Sequence, residues 1–251
     1  MAPELRDIDC LWRFVGRVFE SRENYGTSDA TVKLYKFRSF RSLDRLLDIL
    51  VMRRLYCAEF STLNDPFGGV YMSVLYSQAR NVLYTPMQGY LPTDTPQHQP
   101  VRHQRTVLAP GLPGEHFRVC SLSASMKDIR LWSTYADSHR GVAIEVDIPA
   151  DRLDPVTYVT ALPQHPVHLF DQHPQAKKIL TTKTNHWEHE EEHRVLQTEE
   201  YFALGDASIR VFVGPRSSDA DVALLERLQL PGIGIVRTRL DGDALEVRIA
   251  P

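Results

Sequence analysis

A chain of 251 residues that is 43% hydrophobic, 24% charged and 9% aromatic has the composition of an ordinary globular protein, which excludes a disordered, collagen-like or coiled-coil chain. Its 29 basic and 32 acidic residues give a formal charge of −3, so no overall basic field marks a nucleic-acid binder. Three dispersed cysteines (Cys10, Cys57, Cys120), an opening segment broken by charges and no apolar run of the ~18 residues that a membrane helix needs predict free thiols, a cytoplasmic location and no membrane span.

Leu5, Ile8, Leu11, Trp12, Val15, Val18 and Phe19 recur at helical spacing, which predicts an amphipathic helix over 4–22. Leu34–Phe40 alternates apolar and polar side chains as a half-buried strand does. Ser42 is placed to cap a helix over LDRLLDILVMRR, with Leu43, Leu46, Leu47 and Leu50 on one face. LYCAEF (55–60) reads as a strand and STLNDPFGG as a turn. Val70, Val74, Leu75, Val82 and Leu83 suggest a helix over 70–84. Residues 85–114 hold six of the 16 prolines and no periodicity, which predicts a mobile loop serving as a lid or specificity insertion.

Strand patterning resumes in HFRVCSLS (116–123), followed by a short helix near Asp128–Tyr135 and strands at 141–148 and 155–162. A His- and Pro-rich loop (163–174) and a helix through Ala176–Leu180 come next. The strand IRVFVG (209–214), a helix around Ala220–Leu228 and strands at 232–240 and 244–250 complete the order, with Asp241-Gly242 as a hairpin turn. Helices and strands mix without strict βαβ alternation. The expected fold is α+β, one domain over 1–251, with a mixed, mainly antiparallel sheet and flanking helices.

The densest polar segment is HWEHEEEHR (186–194). As a helix it matches HExxH, with His189 and His193 on one zinc ion, Glu190 as base, and His165, His168 or His173 as a third ligand. The charged positions around those histidines do not suit a buried zinc helix. As a strand it places Glu190, Glu192 and Arg194 on one face, with Trp187, His189 and Val195 on the other. Such a face needs partners or a ligand, and two carboxylates two residues apart suit stabilising a cationic transition state. A solvated charged segment is the plainer alternative.

In LWSTYADSHRGVAIEVD (131–147), Trp132, Tyr135 and His139 fall near a helix-to-strand junction, where they face either a ligand or, for the two aromatics, the core. Asn64 and Asp65 in LNDPF have the chemistry of a turn. Arg38, in a strand otherwise suited to burial, either reaches solvent or binds an anion.

LYKFRSF, LNDPF, LWSTYADSHRGVAIEVD and K-x₃-W-x₂-E-x-E-x-R from Lys183 occur in that order between Leu34 and Arg194. Together they resemble a bacterial family catalogued as domain of unknown function 2971. Its pattern LWSHYADSHKG has a histidine where Thr134 stands here, while His139 keeps the second one. The order of polar motifs is also similar to that of ADP-ribosyltransferases, in which an early arginine, a central serine or tyrosine strand and a late glutamate surround NAD. That resemblance implies a sheet split around an NAD-type cleft, with Arg38 on the phosphates. Ser121 or Ser123, with Tyr135, would build the nicotinamide-ribose pocket, beside Tyr35, Trp132 and His139. Glu192, or else Glu190, would hold the ribose hydroxyl and stabilise the oxocarbenium ion. Asn64, Asp65 and Arg194 are further site residues. NAD is the implied substrate and no metal is expected. The acceptor would be nucleic acid or protein, in the setting of a toxin or phage-defence effector with an antitoxin or immunity partner. Two other readings stand beside this one: a non-catalytic module binding a nucleotide or partner, and a zinc-dependent hydrolase through His189-Glu190-His193.

Overall fold

The strand Val142–Pro149, interrupted in its apolar run only by Glu145 and Asp147, lies at the centre of the largest sheet, and its two faces carry different cores. The computed structural model describes residues 30–76, 100–107, 117–166 and 173–250. Within these, the first strands in chain order are β1 (Thr31–Arg38), β2 (Arg54–Tyr56), β3 (Ala58–Glu59), β4 (Val70–Tyr76), β5 (Pro100–Val107) and β6 (Arg118–Ser123). The central strand is β7 (Val142–Pro149), followed by β8 (Asp154–Pro155), β9 (Thr157–Val159), β10 (Gln164–Pro166) and β11 (Thr182–Thr184). The last are β12 (Glu192–Gln197), β13 (Tyr201–Ala203), β14 (Ile209–Val213), β15 (Ile233–Asp241) and β16 (Glu246–Ile249). The helices are α1 (Leu43–Leu50), α2 (Ile129–Tyr135), α3 (His173–Leu180) and α4 (Asp219–Arg227).

The large sheet has the order β16-β15-β14-β7-β1-β6-β12-β8, with β3 against β6. Only β14 and β15 run parallel within it; the other neighbours are antiparallel. The architecture is α+β around a mixed, mostly antiparallel sheet. Smaller sheets pair β10-β4-β5, β11-β9 and β13-β2.

Side-chain alternation splits the core. Val142, Ile144, Val146 and Ile148 of β7 join Leu34 of β1, Leu46, Ile49 and Leu50 of α1, and Val222 and Leu225 of α4. On the opposite face Ala143 joins Phe37, Phe212 and Trp132. Trp132 is completely buried, donates its indole N–H to the Met126 carbonyl at 2.6 Å, and meets the Phe37 ring edge-on at 5.3 Å. Helix α2 is capped by the Asp128 side chain and α4 by the reciprocal Ser218–Asp221 capping box. Ser42 stands at the α1 N-cap, but its side chain makes no capping bond.

One weak seam interrupts the sheet. β1 pairs with β7 over eight residues, and β6 with β12 over six, yet β1 and β6 share only Tyr35↔Ser123. Beyond that pair the strands diverge.

Several sequence expectations need correction. Residues 70–76 form β4 rather than the start of a helix, and β4 pairs antiparallel with β5. VYMSVLY is rich in β-branched and aromatic residues, a preference that outweighed the sparse helical spacing. Residues 100–107, inside the expected loop, form β5, whose mostly polar sequence gives no apolar signal and whose order comes from backbone pairing with β4. The expected loop 163–174 contains β10, parallel to β4, and the start of α3. The expected strand 155–162 is divided between β8 and β9, which pair with different strands, and 55–60 is broken into β2, β3 and a 3₁₀ turn at Phe60–Thr62. The helix predicted for 4–22, residues 77–84, and the 85–99 and 108–114 parts of the predicted loop lie outside the described residues.

The turn after α2 positions the end of β1. Asp137, Ser138 and His139 all have positive φ (45°, 54° and 71°), and Gly141 follows so closely under β1 that a Cβ there would lie 2.2 Å from the Arg38 carbonyl oxygen. Because that neighbour is backbone, Gly141→Ala is expected to lower stability by about 2 kcal/mol. Gly234→Ala, whose Cβ would meet only the Arg210 side chain at 3.8 Å, serves as the tolerant control in urea unfolding.

Candidate active site

Divergence of β1 from β6 opens a cleft of about 420 Å³, walled by β1 and α1 on one side and by β6, the Asn185–Glu190 turn and β12 on the other. Leu34 of β1 is buried in the core, but the next two residues on the same strand face are Lys36 and Arg38. The Lys36 ammonium crosses the seam and donates to the Ser121 carbonyl at 2.5 Å; its burial lowers its pKa. Arg38 donates one Nη to the Phe37 carbonyl, while its Nε is buried with no hydrogen-bond partner. Arg45 of α1 also reaches the lining. The lining as a whole carries five cations (Lys36, Arg38, Arg45, Lys183, Arg194) against two carboxylates (Glu190, Glu192).

HWEHEEEHR folds as neither simple expectation. Asn185–Glu190 is a 3₁₀ helix, Glu191 turns through φ 44°, and β12 begins at Glu192. This break separates His189 and His193 from the common helix face that the zinc reading needs. Among the described residues no group of three His, Cys, Asp or Glu is placed to hold a metal ion. The break also turns Glu190 toward Glu192, so both carboxylates meet one ammonium: Lys183 Nζ lies 2.5 Å from Glu190 Oε2 and 3.0 Å from Glu192 Oε2. Arg194 completes the chain, with Nε 2.7 Å from Glu192 Oε1, Nη2 3.2 Å from Oε2, and Nη1 on the Leu180 carbonyl. These four residues are at most 5% exposed. Two positive and two negative groups thus neutralise one another out of water.

The carboxylates differ in what remains free. Glu192 accepts one bond from Lys183 and two from Arg194, which use most of its acceptor sites. Burial alone would raise its pKa, but Arg194, Lys183 and Ser121 outweigh that and hold it at about 2. Among the described residues Glu190 accepts only from Lys183 and from the Tyr135 hydroxyl, at 2.7 Å, which leaves acceptor capacity toward the cleft. Tyr135 in turn accepts from Asn64 Nδ2 at 2.5 Å. Burial and the adjacent Glu190 charge raise the Tyr135 pKa, so its phenol stays protonated at neutral pH.

Nine of the twelve residues singled out from sequence line this cleft: Tyr35, Arg38, Asn64, Ser121, Ser123, Tyr135, Glu190, Glu192 and Arg194. Two of these have prior commitments. Tyr35 donates its hydroxyl to Glu145, and Ser123 Oγ donates to the Ser125 carbonyl and accepts from its N–H. Trp132, His139 and Asp65 do not line it. Trp132 belongs to the core, His139 lies in the left-handed turn against Arg216, and Asp65 Oδ1 caps the Phe67 N–H. Sequence reasoning missed Lys36, Arg45, Tyr56 and the bridging role of Lys183. Lys36 and Lys183 stood inside quoted motifs, and a lysine on a buried strand face was the available signal. The expected free thiols Cys57 and Cys120 are both unpaired and buried in the core, where Cys57 Sγ donates to the Leu55 carbonyl at 3.8 Å.

No family model, curated protein or solved structure matches the chain. No helix among the described residues is long and apolar enough to cross a membrane.

The buried network makes Glu192 a structural residue whatever else it does. Glu192→Gln would leave Arg194 and Lys183 undercompensated and is expected to cost about 3 kcal/mol in urea unfolding at pH 7. A carboxyl lowered from its usual 4.5 to about 2 stabilises the fold above pH 4.5 and loses that contribution as pH falls toward 2. The stability gap between wild type and Glu192→Gln should therefore narrow from pH 5 to pH 3.

Proposed function

We propose that the chain is an ADP-ribosyltransferase-like enzyme that takes NAD into the cleft where β1 leaves β6. One observation carries this reading: the cleft walls are of opposite character. β1 and α1 present Lys36, Arg38 and Arg45, with Arg38 Nε buried and unpartnered, whereas the facing wall presents Glu190, Glu192 and Tyr135. A diphosphate calls for charge-assisted donors of the first kind, and ribose hydroxyls call for the free acceptor lone pairs of the second, whose carboxylates are charge-balanced by Lys183 and Arg194. Bound there, NAD would supply an activated ADP-ribosyl group with nicotinamide as the leaving group.

Arg38 fits the diphosphate because it has a donor unused by the fold. Glu190 is the carboxylate we assign to the ribose side, because it keeps acceptor capacity that Glu192 has largely given to Arg194 and Lys183. Tyr135 has committed its proton to Glu190, so toward the cleft it offers only an oxygen lone pair, suited to an N–H donor such as a carboxamide. The cleft volume lies within the ~300–1,000 Å³ of small-molecule sites. The acceptor in this reading is nucleic acid or protein.

A second reading, a nucleotide-binding module without turnover, draws support from the same near-saturation of Glu192. Incubation with NAD labelled in its adenylate separates the two: nicotinamide release or label transfer is expected, whereas binding without turnover favours the module. Arg38→Gln should weaken NAD binding at least about tenfold by calorimetry. Glu190→Gln should lower turnover by about two orders of magnitude or more while leaving affinity nearly unchanged. Undiminished turnover in Glu190→Gln would remove its assigned role, and absence of NAD binding by the wild type would remove both readings.

A further inference from the structure

The ribbon formed by β2 and β13 borders the cleft and sets Tyr56 directly opposite Tyr201, with their rings edge-on at 5.8 Å. The alternate residues Leu55 and Phe202 are buried in the core, so the other ribbon face turns outward. On that face each tyrosine carries an arginine plane: Arg45 lies 3.4 Å over Tyr56, and Arg54 lies 3.7 Å over Tyr201. Asp48, 8% exposed, holds both guanidinium groups, at 3.5 Å from Arg45 and 2.8 Å from Arg54. About a third of each arginine side chain stays exposed (32% and 35%). Arg45 and Tyr56 belong to the cleft lining as well, so the ladder begins inside the cleft and continues outside it.

We propose that this arginine–tyrosine ladder binds the bases of single-stranded nucleic acid and presents that strand to the cleft as the acceptor. The proposal rests on the ADP-ribosyltransferase-like reading and names its acceptor class. Flat aromatic and guanidinium surfaces accept any base by stacking, and cations beside them track the phosphates. Asp48 fixes the two planes in advance, so little side-chain freedom is lost on binding. Cleft and ladder together carry six cations (Lys36, Arg38, Arg45, Arg54, Lys183, Arg194) against four carboxylates (Asp44, Asp48, Glu190, Glu192), a local positive excess on a chain whose formal charge is −3. A duplex would hide the base faces that such a ladder meets.

The test is fluorescence anisotropy with labelled twelve-nucleotide single-stranded DNA and RNA, without NAD, over a salt series. Wild-type protein should bind, and more weakly as salt rises. Tyr201→Leu, which keeps apolar cover but removes the ring, and Arg54→Gln should each weaken binding about tenfold. NAD affinity, measured separately by calorimetry, should be unchanged in both, so failure of the nucleic-acid proposal is distinguishable from failure of the NAD reading. Thermal melting checks that the variants fold. Ultraviolet cross-linking of the wild-type chain should attach the oligonucleotide within residues 45–56 or at 201, independently of any variant. Absence of oligonucleotide binding, attachment elsewhere, equal binding by folded variants, or transfer of NAD label to protein alone would each overturn the proposal.

Discussion

The site depends on a buried chain of alternating charge: Arg194, Glu192, Lys183, Glu190. Desolvating four ions is costly, and the fold tolerates it because each charge meets an opposite one at hydrogen-bond distance and Arg194 also reaches the Leu180 carbonyl. The chain joins three pieces of backbone that ordinary pairing leaves apart: β11 through Lys183, the 3₁₀ turn through Glu190, and β12 through Glu192 and Arg194. The left-handed turn at Glu191 is the local strain that this arrangement needs. Without it, strand alternation alone would have to carry Glu190, and the residue would lose its helical approach to Tyr135.

The seam between β1 and β6 is the second constraint. A sheet that stayed paired there would bury Lys36 and Arg38 against β6 with nothing to neutralise them. Opening the seam admits solvent or a ligand to these cations, and the Lys36–Ser121 bond keeps the two edges in register at one point. The far end of β1 is fixed from outside the cleft. Gly141 packs under the Arg38 carbonyl, and its own carbonyl receives the Gly214 N–H. The left-handed run at Asp137–His139 serves that close approach, which accounts for a polar, motif-like segment that does not line the cleft.

Local chemistry made the central part of this fold legible in the sequence. Alternation located β1, β6 and β7, and the helices α1, α2 and α4 were within a few residues of their observed limits. What failed was governed by partners distant in sequence. β5 is polar and orders itself only against β4, and β8 and β9 look like one strand until their separate partners, β12 and β11, are known. Most of the cleft residues were legible because charge on a strand face is costly without a reason. Trp132 was misleading, since an indole at the end of a helix has the same appearance whether it holds a core or a ligand. Lys183 was visible only as the first letter of a pattern, because its role requires knowing that the Glu191 turn brings both carboxylates to it.

Charge balance then decides where a ligand can act. Lys183 and Arg194 are already matched by Glu190 and Glu192, so they add little net field to the cleft. The uncompensated cations are Lys36 and Arg38 on β1, and Arg45 shares Asp48 with Arg54. An anion entering the cleft therefore gains most along β1, close to α1 and to the tyrosines of the β2–β13 ribbon. The remaining acceptor capacity lies across the cleft, at Glu190 and Tyr135. A ligand that satisfies both walls must be anionic on one side and a hydrogen-bond donor on the other, and the same neutral network that stabilises the fold gives the cleft that polarity.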